Sequence, residues 1–322
     1  MPEWLVEAGI GETRAALVAD GEIVEARIEI EGSVSAGTVL AARLTSIGQA
    51  GRNAVASADG VEYLLAVAPR VTQGAALAIE VTRAAFPGVE PWKRPLARVS
   101  EAVPGAPPSL AERLLGRTLG FPTPHDALEE GGWSRLIEEA RSGIVEFGGG
   151  ALRLSPTPAM TLIDVDGVLP SEELALAGVR AAARTIRRLA IGGSIGIDLP
   201  TVRSKAARMA QAEAIDALLP QPYERTAVNG FGFVQIVRPR TGPSLIELAQ
   251  DRAGFEARAL LRRAARSTGA IRLVAYPALV ERLEAGQDKF GWIERLARQV
   301  GGAVSLRGDP LLAMSGAYAE PV

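Results

Sequence analysis

Apolar and polar positions alternate with period two from residue 4 to residue 31, and the alternation reverses at Ala19-Asp-Gly-Glu22. Asp-Gly is a strong tight-turn signal, so the chain is predicted to open on a hairpin. Short strand-like runs follow at 38–44, 54–57, 63–67 and 77–82, separated by glycine-containing turns. Several short strands in so few residues predict a small barrel of the OB type. Residues 87–108 hold six prolines and read as a linker or an extended wrap. Helical stretches are expected at 110–119 and 134–140. A second hairpin is expected from 144–147 and 151–154, with Gly148-Gly-Gly150 as its turn rather than a phosphate cradle, since no helix follows.

From residue 161 the pattern changes to strand, helix, strand, helix, strand, the alternation of an α/β layer. Two apolar runs, Thr161-Leu-Ile-Asp-Val-Asp-Gly167 and Ser194-Ile-Gly-Ile-Asp-Leu-Pro200, read as buried strands ending in Asp164 and Asp198. The helix between them is expected to be capped by Ser171. It places Leu176, Val179, Ala183 and Ile186 on an inner face and Arg180, Arg184, Arg187 and Arg188 on the outer one. A second helix is expected at 202–219, ended by Pro220, with strands at 225–228 and 233–237. The tail carries a basic helix at 254–267 with Arg258, Arg262, Arg263 and Arg266 on a solvated face, then strand, helix, helix and strand.

An ionised carboxylate inside an apolar run costs several kcal/mol unless a hydrogen-bond network or a cation compensates it. In such layers ligands gather at the carboxyl ends of strands, where both acids fall. The chemistry left by elimination agrees. There is no cysteine among the 322 residues, so disulfides, thiolate zinc and thiol nucleophiles are excluded. The single histidine, His125, lies in a proline-rich turn and reads as a surface residue, which disfavours serine-histidine and multi-histidine zinc chemistry. Carboxylate chemistry remains, alone or with a hard oxygen-loving cation. Ion pairing of Asp164 or Asp198 with Arg203 or Arg238 is the structural alternative.

A net charge of −2 does not by itself indicate a nucleic-acid partner. Its distribution is uneven, with arginines grouped along the chain and only three lysines, Lys93, Lys205 and Lys289. Arginine favours two-pronged phosphate contacts, although a GC-rich genome enriches it equally well. No apolar run approaches a membrane span, and the N-terminus lacks a signal-like pattern, so a cytoplasmic protein is expected.

Several ordered segments resemble the ribonuclease E/G family. Glu12-Thr-Arg-Ala-Ala-Leu-Val-Ala-Asp-Gly21 is similar to its opening hairpin, and the barrel region stands where its OB-type RNA-binding domain lies. Gly150-Ala-Leu-Arg-Leu-Ser-Pro-Thr-Pro-Ala-Met-Thr-Leu-Ile-Asp-Val-Asp166 resembles its strand pair, and Gly192-Gly-Ser-Ile-Gly-Ile-Asp198 its second acid motif. Phe231-Gly-Phe-Val-Gln-Ile-Val-Arg238 with Pro243-Ser-Leu245 resembles the motifs that follow. The resemblance implies that Asp164 and Asp198 hold a catalytic Mg²⁺ in a deoxyribonuclease-I-like subdomain. Asp166, where the family has asparagine, would add a third ligand or a contact one layer out. It further implies that Tyr63, Arg184, Arg187, Arg188, Arg203, Phe231 and Arg238 contact RNA. The zinc-link cysteines are absent, so a zinc-linked dimer is not expected, while other homo-oligomers stay open. Most of the 5′-sensing region is absent too, and Arg117-Thr118 in a helix is its only trace.

The expected architecture is therefore a mixed α+β and α/β chain of several subdomains. These are a ribonuclease-H-like hairpin part (1–35), an OB-type barrel (36–86), a proline-rich linker with short helices (87–143), a deoxyribonuclease-I-like catalytic subdomain (144–250) and a small C-terminal domain (251–322). The expected function is Mg²⁺-dependent endonucleolytic cleavage of single-stranded RNA by an activated water, in RNA processing or decay. The alternatives are a non-catalytic RNA-binding protein of the same fold and a Mg²⁺-dependent phosphodiesterase with another substrate.

Overall fold

The computed structural model describes residues 2–49, 52–86, 92–122 and 125–322. In chain order, β1 (Glu3–Ala8), β2 (Glu12–Ala19) and β3 (Glu22–Ile30) precede β4 (Val39–Ile47), β5 (Ala54–Ala58), β6 (Val61–Leu65), β7 (Ala76–Arg83) and β8 (Leu96–Ser100). Then come α1 (Leu110–Leu114), β9 (Arg117–Leu119), α2 (Ala127–Glu130), α3 (Trp133–Ser142), β10 (Ile144–Phe147), β11 (Gly150–Pro156) and β12 (Thr161–Gly167). They are followed by α4 (Ser171–Arg188), β13 (Gly193–Asp198), α5 (Lys205–Leu218), β14 (Glu224–Arg225), β15 (Phe233–Arg238) and α6 (Leu245–Leu248). The chain closes with α7 (Arg252–Ala264), β16 (Ile271–Ala275), α8 (Pro277–Phe290), α9 (Trp292–Val300), β17 (Val304–Gly308) and β18 (Tyr318–Pro321). Among the described residues no helix is long and apolar enough to cross a membrane.

Two compact units emerge, Met1–Gly32 with Ser109–Arg135 and Leu248–Val322, and Ser33–Pro108 with Leu136–Glu247. In the first, β3-β2-β1-β9 form one sheet in which only β9 is parallel to its neighbour. Asp20 and Gly21 both take positive φ, as the two-residue hairpin turn requires. A three-stranded sheet β17-β16-β18 packs with α7, α8 and α9 around Leu260, Leu273, Leu283, Trp292 and Leu296, and Ile10 joins that same core. The opening hairpin and the tail, separate in the sequence reading, thus belong to one unit. The stretch 110–119 is helical only to Leu114. Leu115 turns left-handed and Arg117-Thr118 lies in β9, with Arg117 bonded to Glu3 at 2.9 Å.

The basic helix α7 does not present a solvated face. Arg258 is 3% exposed, and Arg258 and Arg262 both reach Glu12. Arg14, 1% exposed, bonds Glu7 at 2.7 Å and Asp126 at 2.9 Å, and Arg266 meets Asp126 at 2.7 Å. The guanidinium carbons of Arg14 and Arg262 stand 5.1 Å and 5.8 Å from the Trp133 ring centre. Buried charges persist when each finds an opposite charge, and three distant chain segments supply those charges here, although Arg14 Nη1, Arg258 Nε and Nη2 and Arg266 Nε keep no hydrogen-bond partner among the described residues.

In the second unit β4-β5-β6-β8-β7 close into a five-stranded barrel. The fifth strand comes from the proline-rich stretch expected to be a linker. Leu96-Ala-Arg-Val-Ser alternates between prolines, Ala97 points into the core, and β8 pairs with β7 and in parallel with β6. Tyr63, expected on the barrel surface, is 2% exposed and packs with Leu44, Leu65 and Ile79; burial pushes its hydroxyl pKa up. The other layer is a six-stranded sheet, β10-β11-β12-β13-β15-β14. Ile163, Val165, Ile195, Ile197, Val234 and Ile236 form its covered face. α4 lies against that face through Leu174, Val179, Ala183 and Ile186, with Gly178 so close to Val165 that a methyl would overlap it. Pro170, not Ser171, occupies the cap position, and Leu174 rather than Leu176 turns fully inward. β14 covers only Glu224–Arg225, shorter than the expected strand.

The charge network of the first unit sets an acid limit on its stability. Burial raises the Asp126 carboxyl, but the charges and hydrogen bonds of Arg14, with Arg266, outweigh it and hold the group below the ordinary carboxylate range. A carboxyl depressed by folding stabilises fully above its unfolded pKa of about 3.9 and loses that contribution as pH falls through its folded value. Asp126→Asn is expected to lower stability at pH 7 by about 1–3 kcal/mol and to flatten the loss of stability below about pH 4. Denaturant unfolding across pH 2–7 checks this, and an unchanged acid limb would contradict it.

Candidate active site

Along β12, Thr161, Ile163 and Val165 are buried while Leu162, Asp164 and Asp166 are exposed. The alternation puts both acids on the face that α4 does not cover. β13 runs parallel to β12 with Asp164 directly opposite Asp198, which is also exposed. Neighbouring strands stand about 4.8 Å apart, so the two carboxylates leave the sheet side by side. The cross-strand pairs Ile144 with Arg153, Arg153 with Asp164, Asp164 with Asp198 and Asp198 with Phe233 make one continuous row. The desolvation cost expected for these acids is therefore absent. Strand periodicity buries their neighbours and leaves the carboxylates in water.

The donor set suits a hard divalent cation. Mg²⁺ is commonly held by one or two carboxylates with waters and substrate phosphate filling the remaining positions. Asp164 and Asp198 offer that pair. Asp166 lies on the same face two residues along, but its carboxylate accepts a 3.2 Å hydrogen bond from Arg153 Nε. Among the described residues no group of three or more His, Cys, Asp or Glu is placed to hold a metal ion. Two carboxylates alone would supply a partial shell, with waters filling the remaining positions.

Beside the pair lies an apolar floor. A Cβ on Gly196 would fall 2.6 Å from Phe233 Cζ and 3.1 Å from Leu162 Cδ2, so the missing side chain lets Phe233 and Leu162 meet across β13. Next to them Gln235 Nε2 donates to Ser194 Oγ at 3.0 Å. Phe231, 82% exposed, sits on the loop entering β15, and Thr201 Oγ1 donates to its carbonyl at 3.1 Å. Arg203 is exposed five residues past Asp198, next to Ser204, which caps α5.

The other expected contacts fall elsewhere. Arg184, Arg187 and Arg188 ride on α4, across the sheet from the acids, and Arg188 pairs with Glu139 at 2.5 Å. Arg238 pairs in register with Gly193, at the opposite end of β13 from Asp198, and donates to the Ile191 carbonyl at 3.2 Å. Arg238, at the far end of β13, lies out of ion-pair reach of Asp198, and Arg203 forms no ion pair among the described residues. Tyr63 is inside the barrel. His125 pairs with Glu130 at 3.0 Å, and both side chains are exposed. Arg153, Leu162 and Gly196 are neighbours of the pair that the sequence reading did not single out. The signal for Arg153 was its place in the strand pair Gly150–Asp166, where β11 sets it opposite Asp164 on β12.

Because these acids are exposed and like-charged, folding does not depend on them. Asp164→Asn and Asp198→Asn are expected to change unfolding free energy by no more than about 0.5 kcal/mol, with relief of like-charge repulsion favouring a small gain. Urea titration measures this, and a loss above about 2 kcal/mol would mark the acids as structural. No model of a known protein family matches the chain, and no curated protein matches it.

Proposed function

We propose that this chain is a Mg²⁺-dependent endoribonuclease of the ribonuclease E/G type that cuts single-stranded RNA. One observation carries the reading: Asp164 and Asp198 stand in register, exposed, where the parallel pairing of β12 and β13 ends, on the face of the sheet that α4 leaves uncovered. A site at that position in an α/β layer is where ligands collect. Asp164 and Asp198 would hold the cation, with Asp166 kept aside by Arg153. When bound, Mg²⁺ stabilises charge on a non-bridging phosphoryl oxygen and makes an attacking water more acidic. Arg203 and the N-terminus of α5 lie past the end of β13 and favour the approach of phosphate. Hydrolysis in this sense leaves a 5′-phosphate and a 3′-hydroxyl.

The subdomain identities form part of the same proposal. A barrel ordered β4-β5-β6-β8-β7, with β6 and β8 parallel, supports an OB-type reading. The order β3-β2-β1-β9, with β9 parallel to β1, supports a ribonuclease-H-like reading of the first sheet. The six-stranded layer with its acid pair is the deoxyribonuclease-I-like part. Burial of Tyr63 removes one aromatic platform for bases and favours, as a second reading, a phosphodiesterase acting on an ester other than RNA.

Labelled single-stranded RNA incubated with the protein in Mg²⁺ is expected to be cut internally. EDTA, Asp164→Asn or Asp198→Asn should each lower the rate by about 100-fold or more, the scale of losing transition-state charge stabilisation. Cleavage that persists in any of these would overturn the two-acid assignment. Turnover of bis(p-nitrophenyl) phosphate with RNA left intact would favour the second reading.

A further inference from the structure

Taking the acid pair as the cleavage site, we propose that Phe231 is a stacking platform for one unpaired base beside the scissile phosphate, and so makes the site selective for single strands. Phe231 is a large apolar side chain left 82% exposed on a backbone that is firmly held. Asn229 Oδ1 accepts from the amides of Phe231 at 2.9 Å and Phe233 at 3.0 Å, and Gly232 N donates to the Asn229 carbonyl at 3.2 Å. Gly232 has φ +94°, and a Cβ there would lie 2.2 Å from the Leu199 carbonyl oxygen, so this turn requires glycine. Leu199 N donates to the Gly232 carbonyl and Thr201 Oγ1 to that of Phe231, which ties the loop to the residues directly after Asp198.

The chemistry around the ring selects the occupant. Phe231 lies two residues before Phe233, the cross-strand partner of Asp198, and its carbonyl is held by Thr201, two residues before Arg203. Arg203 and Lys205 are exposed at the start of α5, and neither side chain forms an ion pair among the described residues. Alternating anionic groups and flat apolar faces are what a single nucleic-acid strand presents, whereas an apolar peptide would leave Arg203 and Lys205 without counter-charges. A base inside a duplex already has both faces stacked, so it has none to give Phe231.

Binding measured by fluorescence anisotropy in an Asp198→Asn background keeps the RNA intact. Adding Phe231→Ala or Phe231→Leu is expected to weaken binding of a single-stranded oligonucleotide roughly 5- to 150-fold, the range for one stacked base, with duplex binding unchanged. Phe231→Trp should preserve affinity, and its emission should be quenched by the strand. A single abasic nucleotide, moved along the RNA, should cost affinity at one position in the parent and nothing further there in Phe231→Ala. Equal binding by the parent and Phe231→Ala, or equal loss on duplex, overturns the platform while leaving the acid assignment intact. A parent that binds no single-stranded RNA overturns both the platform and the ribonuclease reading. Circular dichroism of each variant verifies that the fold is kept.

Discussion

Everything at the candidate site depends on the six-stranded sheet being covered on one side only. Ile163, Val165, Ile195 and Ile197 must face α4, and because strand side chains alternate, their neighbours must face water. A slip of one residue between β12 and β13 would turn the whole apolar set outward, which no sheet with one buried face tolerates. The register is thereby locked by hydrophobic burial, and that register sets Asp164 opposite Asp198. The acids need no interaction of their own to be placed. Packing on the far side of the sheet positions them, and Gly196, by lacking a side chain, shapes the apolar floor next to them.

The molecule treats charge in two opposite ways. In one unit Glu7, Glu12, Arg14 and Arg258 are buried, and arginine forks, carboxylates and the Trp133 ring satisfy most of one another's demands. Such a cluster contributes when complete and is costly when a partner is removed, so it constrains which chain segments can assemble. In the other unit Asp164 and Asp198 lie adjacent in water with no buried counter-charge. Two exposed like charges stabilise nothing, so the fold does not require them.

The strand-helix-strand alternation was legible because period-two and period-3.6 patterns report burial directly, whereas the two acids, read as costly inside apolar runs, alternate out into water. The hairpin turn was legible because Asp-Gly demands positive φ. What escaped was non-local. Leu96-Ala-Arg-Val-Ser is too short and too hedged by prolines to announce that it closes a barrel, and it does so only by pairing with β6 and β7. Tyr63 reads as a surface aromatic until barrel closure turns it inward. The arginines of α7 look like a solvated face because their partners, Glu12 on β2 and Asp126 before α2, are remote in sequence. On α4 the arginines follow the expected outer face, but only the sheet shows that this face is opposite the acids.

The central claim is that Asp164 and Asp198 act as one cation-binding unit. Paramagnetic broadening of backbone amide signals by substoichiometric Mn²⁺, a stand-in for Mg²⁺ at oxygen sites, tests it without depending on catalysis. Broadening is expected to centre on residues 163–167 and 197–201, to be competed by Mg²⁺ and to be abolished by Asp164→Asn or Asp198→Asn. Broadening centred elsewhere, or unchanged by either substitution, would contradict it.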